Sequence, residues 1–152
     1  MFQEITRQEF LALKERASLA AKKVRGEEGN ICLVSHYDAD GISAAAIMHR
    51  CFDTAGKSFE VNFIRQLDAD AAKQISEKDA SLWIFTDIGS GQLDILKNYF
   101  SDKKIIVLDH HPIYGNEWKG LVHVNPFLEG INGTKYISGA GVVYLVARGI
   151  SS

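Results

Sequence analysis

Acidic and imidazole side chains stand in three short stretches of the chain, each directly after an apolar run that is typical of a buried strand. The stretches are Ser35-His36-Tyr37-Asp38-Ala39-Asp40-Gly41, Thr86-Asp87-Ile88-Gly89 and Asp109-His110-His111-Pro112. Carboxylates that converge in one crevice repel each other and resist ionisation unless cations lie between them. Imidazoles add the neutral nitrogen donors that transition-metal sites use. These residue types therefore predict a metal site, provided that the fold brings the stretches together.

The spacing of the carboxylates favours two ions. Asp38 and Asp40 are two positions apart in a strand-to-loop segment, so their side chains can project to the same side and address adjacent ions. Asp87 stands alone, and one carboxylate can bridge two ions with its two oxygens. Carboxylate and imidazole ligands without a nearby thiolate favour Mn²⁺, with Mg²⁺ as the alternative, over calcium or structural zinc. Two such ions about 3.5–4 Å apart clamp a phosphoryl group and lower the pKa of a bridging water, which predicts phosphoester hydrolysis.

Each aspartate also has a structural interpretation. An Asp before a helix is most often an N-cap that contributes about 1 kcal/mol, and this interpretation is favoured for Asp40 or Asp87 taken alone. Asp68 and Asp70, which no His accompanies, are interpreted as an N-cap and a first-turn carboxylate. His123 is interpreted as a strand residue without a chemical role. The metal prediction therefore depends on the three stretches acting together.

The elements that must bring these stretches together alternate between helix and strand. Apolar residues spaced by three and four from Phe10 to Val24, after a capping box of Thr6 and Glu9, predict an amphipathic first helix. Apolar runs predict strands at 31–34, 61–64, 82–85, 105–108 and 121–124, with further helices at 41–50, 68–77, 90–99 and 137–148. This alternation predicts an α/β fold with a mainly parallel, five-stranded sheet and helices on both faces. Ligands of such sheets bind beyond the carboxyl ends of the strands, where the three stretches stand.

Composition limits the remaining possibilities. The 152 residues predict a single domain, and 46% hydrophobic with 24% charged residues is typical of a globular protein. The 17 Lys and Arg against 19 Asp and Glu leave a formal net charge of −2, so there is no overall basic field for a nucleic acid. The two cysteines form no CxxC pair, and neither a secretory leader nor a long apolar run is found. We therefore expect a reduced, cytoplasmic protein that does not bind membranes.

In order and approximate spacing, the three stretches resemble the first three motifs of the DHH phosphoesterase superfamily. Among its branches the chain is most similar to the RecJ-type single-strand exonucleases, particularly the archaeal form whose first motif opens Ser-His-x-Asp-Ala-Asp-Gly. The similarity runs from about Ile31 to Arg148 and includes Asn125-Pro126 and the turn Ser138-Gly139-Ala140-Gly141. It implies a DHH-type domain that hydrolyses phosphodiester bonds with two divalent ions.

Carried over position by position, the resemblance implies a role for each candidate ligand. Asp38 and Asp87 would hold one ion, with His36 as a further ligand. Asp40, Asp87 and His110 would hold the other ion. Asp87 would therefore bridge the two.

Substrate contacts are expected beside these ligands. The resemblance implies that His111 faces the scissile phosphate and that Asp109 orients an imidazole. Arg65, at the end of the second predicted strand, is placed to reach an anionic substrate, with a solvated surface position as the alternative. The segment of Ser138 and Gly139 would present free N–H groups to a phosphate at the start of the last helix, although its glycines also permit close helix packing.

The family also has a fourth motif with another metal-binding Asp, followed by a separate C-terminal domain that grips the substrate. Neither has a counterpart in this chain. We therefore expect residues 1–152 to form a single DHH-type domain without these two parts.

Three functions fit these observations. The first is Mn²⁺-dependent hydrolysis of single-stranded DNA or RNA. The second keeps the ions but acts on very short oligonucleotides, 3′-phosphoadenosine phosphate, cyclic dinucleotides or pyrophosphate. The third is a non-catalytic, RecJ-like scaffold of the replisome. Replication or repair proteins are the expected protein partners.

Overall fold

The computed structural model describes residues 4–151, in which helices alternate with strands of one parallel sheet. The strands are β1 (Ile31–His36), β2 (Phe59–Ile64), β3 (Leu82–Thr86), β4 (Ile105–Leu108) and β5 (Leu121–Val124). The helices are α1 (Arg7–Arg25), α2 (Ala39–Thr54), α3 (Ala69–Ser76), α4 (Leu93–Phe100), the single turn α5 (Gly133–Tyr136) and α6 (Gly139–Ile150). The strand order is β2-β1-β3-β4-β5, and all neighbouring strands are parallel. The predicted α/β class and five-stranded parallel sheet are confirmed.

Two apolar layers hold the sheet between its helices. Helices α1, α2 and α6 pack on one face, and α3 and α4 pack on the other. The alternation along β1 serves both layers, since Leu33 contacts the first while Cys32 and Val34 contact the second. All three side chains are fully buried, as expected of a strand covered on both faces.

Local capping sets the ends of the helices. The predicted capping box at the start of α1 is present, with Thr6 N–H donating to Glu9 over 2.8 Å and Glu9 N–H donating to Thr6 over 3.1 Å. The last helix begins at Gly139 rather than at Ile137. The reason is that Ser138 caps it by accepting a 3.0 Å hydrogen bond from Gly141 N–H, and the separate turn α5 precedes it.

This topology places the motif-bearing ends of β1, β3 and β4 side by side. The strand order reverses between β1 and β3, where the crevice beyond the carboxyl ends opens in folds of this kind. Across residues 4–151, no helix combines the length and the apolar character needed to cross a bilayer.

Candidate metal centre

Asp87 follows β3 directly and lies at the centre of the site. Its φ of 57° is in the left-handed region, where residues 4–151 place no other residue except glycines. Aspartate is among the few L-residues that adopt this conformation, at a cost on the order of 1–3 kcal/mol. Such strain persists where the surrounding structure enforces it, and it is concentrated at functional sites.

The carboxylate of Asp87 is buried without a well-aligned hydrogen-bond donor. The residue is 2% exposed, and among residues 4–151 no group donates such a bond to either oxygen, although His110 Nε2 lies 3.3 Å from Oδ1. Burial is the main cause that raises the pKa of Asp87; the contact with His110 lowers it, and the charges of Asp40, Asp109 and Asp38 raise it again. A buried carboxylate in this state is costly unless a cation compensates its charge. Its orphaned oxygens therefore fit a bound metal ion.

Two groups of side chains surround Asp87, one for each of its oxygens. The His36 cluster consists of His36, Asp38 and Asp87, with His36 Nδ1 3.0 Å from Asp38 Oδ2 and 4.0 Å from Asp87 Oδ2. The His110 cluster consists of Asp40, Asp87, His110 and His111, with His110 Nε2 3.3 Å from Asp87 Oδ1. Since the two oxygens of Asp87 face different clusters, its placement suits a carboxylate that bridges two ions.

Candidate ligand atoms converge in both clusters. In the His36 cluster the ligand atoms of all three residues lie within 4.8 Å of one another, and those of Asp87, His110 and His111 do so in the other. Nitrogen and oxygen donors without a thiolate form the set that Mn²⁺ and related divalent ions accept. The residues of both clusters therefore fit the predicted ions.

Asp38 joins the site because the loop after β1 closes tightly. It caps α2, accepting a 2.9 Å hydrogen bond from Gly41 N–H that is the main cause of the lowered pKa of Asp38. A Cβ atom at Gly41 would lie 2.0 Å from the carbonyl oxygen of His36. Only glycine therefore permits this loop, which turns the second oxygen of Asp38 toward His36.

Asp40 is shared between the His110 cluster and helix α6. Its Oδ2 lies 3.4 Å from His110 Nε2, but its two oxygens also accept hydrogen bonds of 2.8 Å from the N–H groups of Gly139 and Ala140. The expectation of free N–H groups at this helix start is therefore wrong, because Asp40 and the Ser138 hydroxyl already occupy them. The alternative, close packing, matches the geometry, since a Cβ atom at Gly139 would lie 2.4 Å from Asp87 Oδ1.

Asp109 organises the loop that carries His110 and His111. Its fully buried Oδ1 accepts the main-chain N–H of His110 over 2.8 Å and the ring Nδ1–H of His111 over 2.7 Å. Burial raises the pKa of Asp109, but the hydrogen bond from His111 and the main-chain donors outweigh burial and leave it lowered. Asp109 is therefore an ionised acceptor that fixes the ring of His111.

Neighbouring acceptors orient both imidazoles of this loop. His110 Nδ1 lies 3.1 Å from the Gly133 carbonyl oxygen, which as an acceptor requires Nδ1–H and leaves Nε2 facing the cluster. The Asp87 carboxylate is the main cause that raises the pKa of His110 to about 9. Asp109 is the main cause of the raised pKa of His111. Without an ion, a proton therefore remains in the His110 cluster, and a metal would displace it.

A cleft of about 350 Å³ lies beside the clusters and includes Arg65 in its wall. The exposed Arg65 shares this cleft with Asp87 and His111. Sequence reasoning did not single out Tyr114, whose exposed ring also lines it. A single sequence does not distinguish an aromatic residue that lines a cleft from one elsewhere on the surface.

A larger cavity, of about 860 Å³, lies at the other end of the sheet. It is lined by α1 and by the amino ends of β4 and β5, and no carboxylate or imidazole of the three motifs reaches it. The candidate metal centre is therefore distinguished by its potential ligands and not by the size of its cavity.

Comparisons with known proteins agree with this geometry. The model of the DHH family, N-terminal domain, matches residues 30–151. An uncharacterised protein of Methanocaldococcus jannaschii, MJ0831, is 33% identical over 144 residues, which cover 88% of this chain and 32% of that protein. The chain thus spans about a third of the length of this relative.

Solved structures show the same fold. RecJ from Thermus thermophilus in complex with Mn²⁺ aligns with a TM-score of 0.69 and 25% identity, over 91% of this chain and 20% of that one. CDC45 from Entamoeba histolytica aligns with a TM-score of 0.60 and 14% identity, over 93% of this chain and 29% of that one. The likeness to CDC45 shows the fold alone. With its fold, its ligand clusters and the family match over residues 30–151, this chain belongs to the DHH family and carries its N-terminal domain.

Proposed function

We propose that the chain is the catalytic domain of a Mn²⁺-dependent phosphodiesterase that acts on single-stranded nucleic acid. The observation that carries the proposal is the buried Asp87 carboxylate, which accepts no well-aligned hydrogen bond from residues 4–151 and has one oxygen toward each of two ligand clusters. Membership of the DHH family and the similarity to a Mn²⁺ complex of RecJ support the reaction class and the metal.

The ligand residues would hold two ions and share Asp87 between them. His36 and Asp38 would bind one ion, and His110 and Asp40 the other. When bound, such ions neutralise charge on the phosphoryl group and lower the pKa of a water molecule. Asp40 has a second task, because its bonds to α6 fix that helix against the cluster.

His111 is the residue best placed to exchange a proton with the substrate. Its Nδ1–H is held by Asp109, so Nε2 is left for a phosphate oxygen. The raised pKa of His111 favours the protonated ring, which can donate a hydrogen bond to the phosphate or a proton to the leaving oxygen. Arg65, on the wall of the adjoining cleft, would bind a phosphate group at a distance from the ions.

The decisive test replaces Asp87 by asparagine, which keeps the size and tolerates the left-handed backbone. We expect Asp87→Asn to lower Mn²⁺-dependent cleavage of a labelled single-stranded oligonucleotide by about 10³-fold or more. Asp70→Asn, at an exposed position on α3, is the matched control and should keep full activity. Both are assayed in this chain and in any longer protein that contains it, with circular dichroism to check folding. Cleavage by Asp87→Asn at the rate of the control would refute the proposal.

The size of the substrate is a separate question that a panel answers. Short oligonucleotides, 3′-phosphoadenosine phosphate, cyclic dinucleotides and pyrophosphate are compared with the longer oligonucleotide under the same Mn²⁺ concentration. We expect the longer strand to be preferred. Faster turnover of any small substrate would replace the nucleic-acid assignment by the small-nucleotide alternative while retaining the metal site.

The scaffold alternative draws on the CDC45-like fold. It predicts that no divalent ion binds at micromolar concentration. The retained ligand clusters favour catalysis, because a scaffold has no use for a buried carboxylate without donors.

A further inference from the structure

A row of buried polar side chains lies behind the loop of His110 and His111. Ser90 and Asn125 are fully buried and His123 is 4% exposed, whereas the side chain of Glu117 is 45% exposed. Ser90 lies in the turn after β3, and Asn125 lies in the loop after β5. His123 lies in β5, and Glu117 lies in the loop before that strand. None of them belongs to the three motifs.

The direction of each hydrogen bond in this row can be deduced from the groups that it joins. His123 Nδ1 lies 2.8 Å from Glu117 Oε1, and since a carboxylate only accepts, Nδ1 carries the hydrogen. Burial lowers the pKa of His123, so the ring is neutral and Nε2 has a free lone pair. Ser90 Oγ lies 2.8 Å from Nε2 and must therefore donate to it.

Asn125 connects these hydrogen bonds to the loop of His110 and His111. Its Oδ1 accepts the N–H of Phe127 over 2.9 Å, so the orientation of its amide is determined. Its Nδ2 donates to Ser90 Oγ over 2.8 Å and to the carbonyl oxygen of His111 over 2.9 Å. Every polar group from Glu117 to His111 thus has one compatible direction.

Ser90 also reaches His111 by a second route. Its main-chain N–H donates to Asp109 Oδ2 over 2.9 Å, and Asp109 Oδ1 accepts Nδ1–H of His111. One residue therefore holds both the main chain of His111, through Asn125, and its ring, through Asp109. Fully satisfied buried networks of this kind restrict the groups that they contact.

We propose that Glu117, His123, Ser90 and Asn125 are positioning residues, whose directional hydrogen-bond chain holds the His110-His111 loop in place for metal and substrate. The importance of this loop for catalysis rests on the proposed function, but the hydrogen-bond network itself is tested in metal-free protein. Its end at Glu117 lies at the surface, so the network can be altered there without opening the core.

The test uses amide hydrogen exchange and ¹⁵N NMR of the imidazoles. Ser90→Ala keeps the main-chain donor and removes the hydroxyl hub, so exchange at the N–H groups of His110 and His111 should become about tenfold faster, and Mn²⁺ affinity should fall about 10- to 100-fold. The matched control is Ser81→Ala, which removes a hydroxyl bonded to Glu27 away from the site and should leave these two amides unchanged. Equal exchange in the two variants would overturn the proposal.

Glu117 gives a second variant that does not depend on tolerance in the core. In the wild type we expect the Nδ1–H form of His123, and Glu117→Ala should reduce its population and speed exchange at His111. Glu117→Gln keeps an acceptor oxygen and should restore both signals. A wild-type Nε2–H form, or Glu117→Ala indistinguishable from wild type, would contradict the proposal. If the NMR results hold and no substrate is cleaved, the positioning chain stands and the proposed function fails.

Discussion

Two buried carboxylates at opposite ends of the sheet have opposite surroundings. Glu27, at the amino end, is 7% exposed and accepts hydrogen bonds from Gly29 N–H, Ser81 Oγ and Lys104 Nζ over 3.0, 2.8 and 3.0 Å. These contacts, above all the one from Gly29, lower the pKa of Glu27 to about 2 despite its burial. Asp87, at the carboxyl end, is 2% exposed and has no well-aligned donor in the described part of the chain, and burial raises its pKa.

The difference separates a carboxylate that stabilises the fold from one whose surroundings fit a bound cation. Glu27 is compensated by the protein itself, so its charge is stabilising at neutral pH. The charge of Asp87 is neutralised only in part by the neighbouring imidazoles, so its burial remains unfavourable for folding. The presence or absence of neighbouring groups that neutralise the carboxylate therefore indicates which buried acid can bind a cation. Burial and residue type alone do not.

The largest expected effect is on stability. Glu27→Ala should lower the free energy of unfolding by about 2–3 kcal/mol, because it leaves the Gly29 N–H without an acceptor and removes the charged acceptor of Ser81 Oγ and Lys104 Nζ. Asp87→Asn should change it by less than about 1 kcal/mol without divalent ions, because relief of the buried charge is offset by loss of the contact between that charge and protonated His110. Urea denaturation in the presence of a chelator measures both. An equal loss in the two variants would mean that Asp87 is structural as well.

A smaller effect on stability is expected at the contact between Gly139 of α6 and the carboxylate of Asp87. Gly139→Ala places a Cβ atom 2.4 Å from Asp87 Oδ1, so the helix or the carboxylate must shift. We expect a loss of stability of about 1–3 kcal/mol and weaker Mn²⁺ binding. Gly26→Ala, whose Cβ would have an ordinary contact of 3.5 Å, should change neither quantity appreciably. Thermal unfolding with and without Mn²⁺ compares the two, and wild-type behaviour of Gly139→Ala would show that the close contact relaxes freely.

The smallest expected effect is the change with pH. Since the folded-state pKa of His110 is about 9 and the reference value is 6.5, the proton on His110 stabilises the metal-free fold below about pH 6.5, and this contribution is lost as pH rises toward 9. Metal must displace that proton, so apparent Mn²⁺ affinity should rise about tenfold per pH unit between pH 6.5 and 8. Titrations at several pH values measure this slope. A flat profile would show that His110 is not a ligand.

Much of the architecture could be predicted from the sequence because it follows from local patterns. Apolar runs marked the five strands, and parallel strands necessarily carry the residues that follow them to one edge of the sheet. The convergence of Asp87 with the two imidazole-bearing motifs followed from that rule.

What could not be predicted depends on contacts between distant parts of the chain. The bonds from α6 to Asp40 join residues 99 and 100 positions apart, and nothing near Gly139 in the sequence indicates that its N–H is taken. The left-handed backbone of Asp87 has no signal in residue type, because aspartate is also common in ordinary turns. His123 was assigned to a strand correctly, but its partners Ser90 and Glu117 come from separate loops.

Calorimetric titration with Mn²⁺ at neutral pH tests the central claim most directly, since Asp87 is the member that both clusters share. Wild type and Asp70→Asn should each bind two ions per chain, and Asp87→Asn should lose high-affinity binding of both. Two ions bound with unchanged affinity by Asp87→Asn would contradict the account.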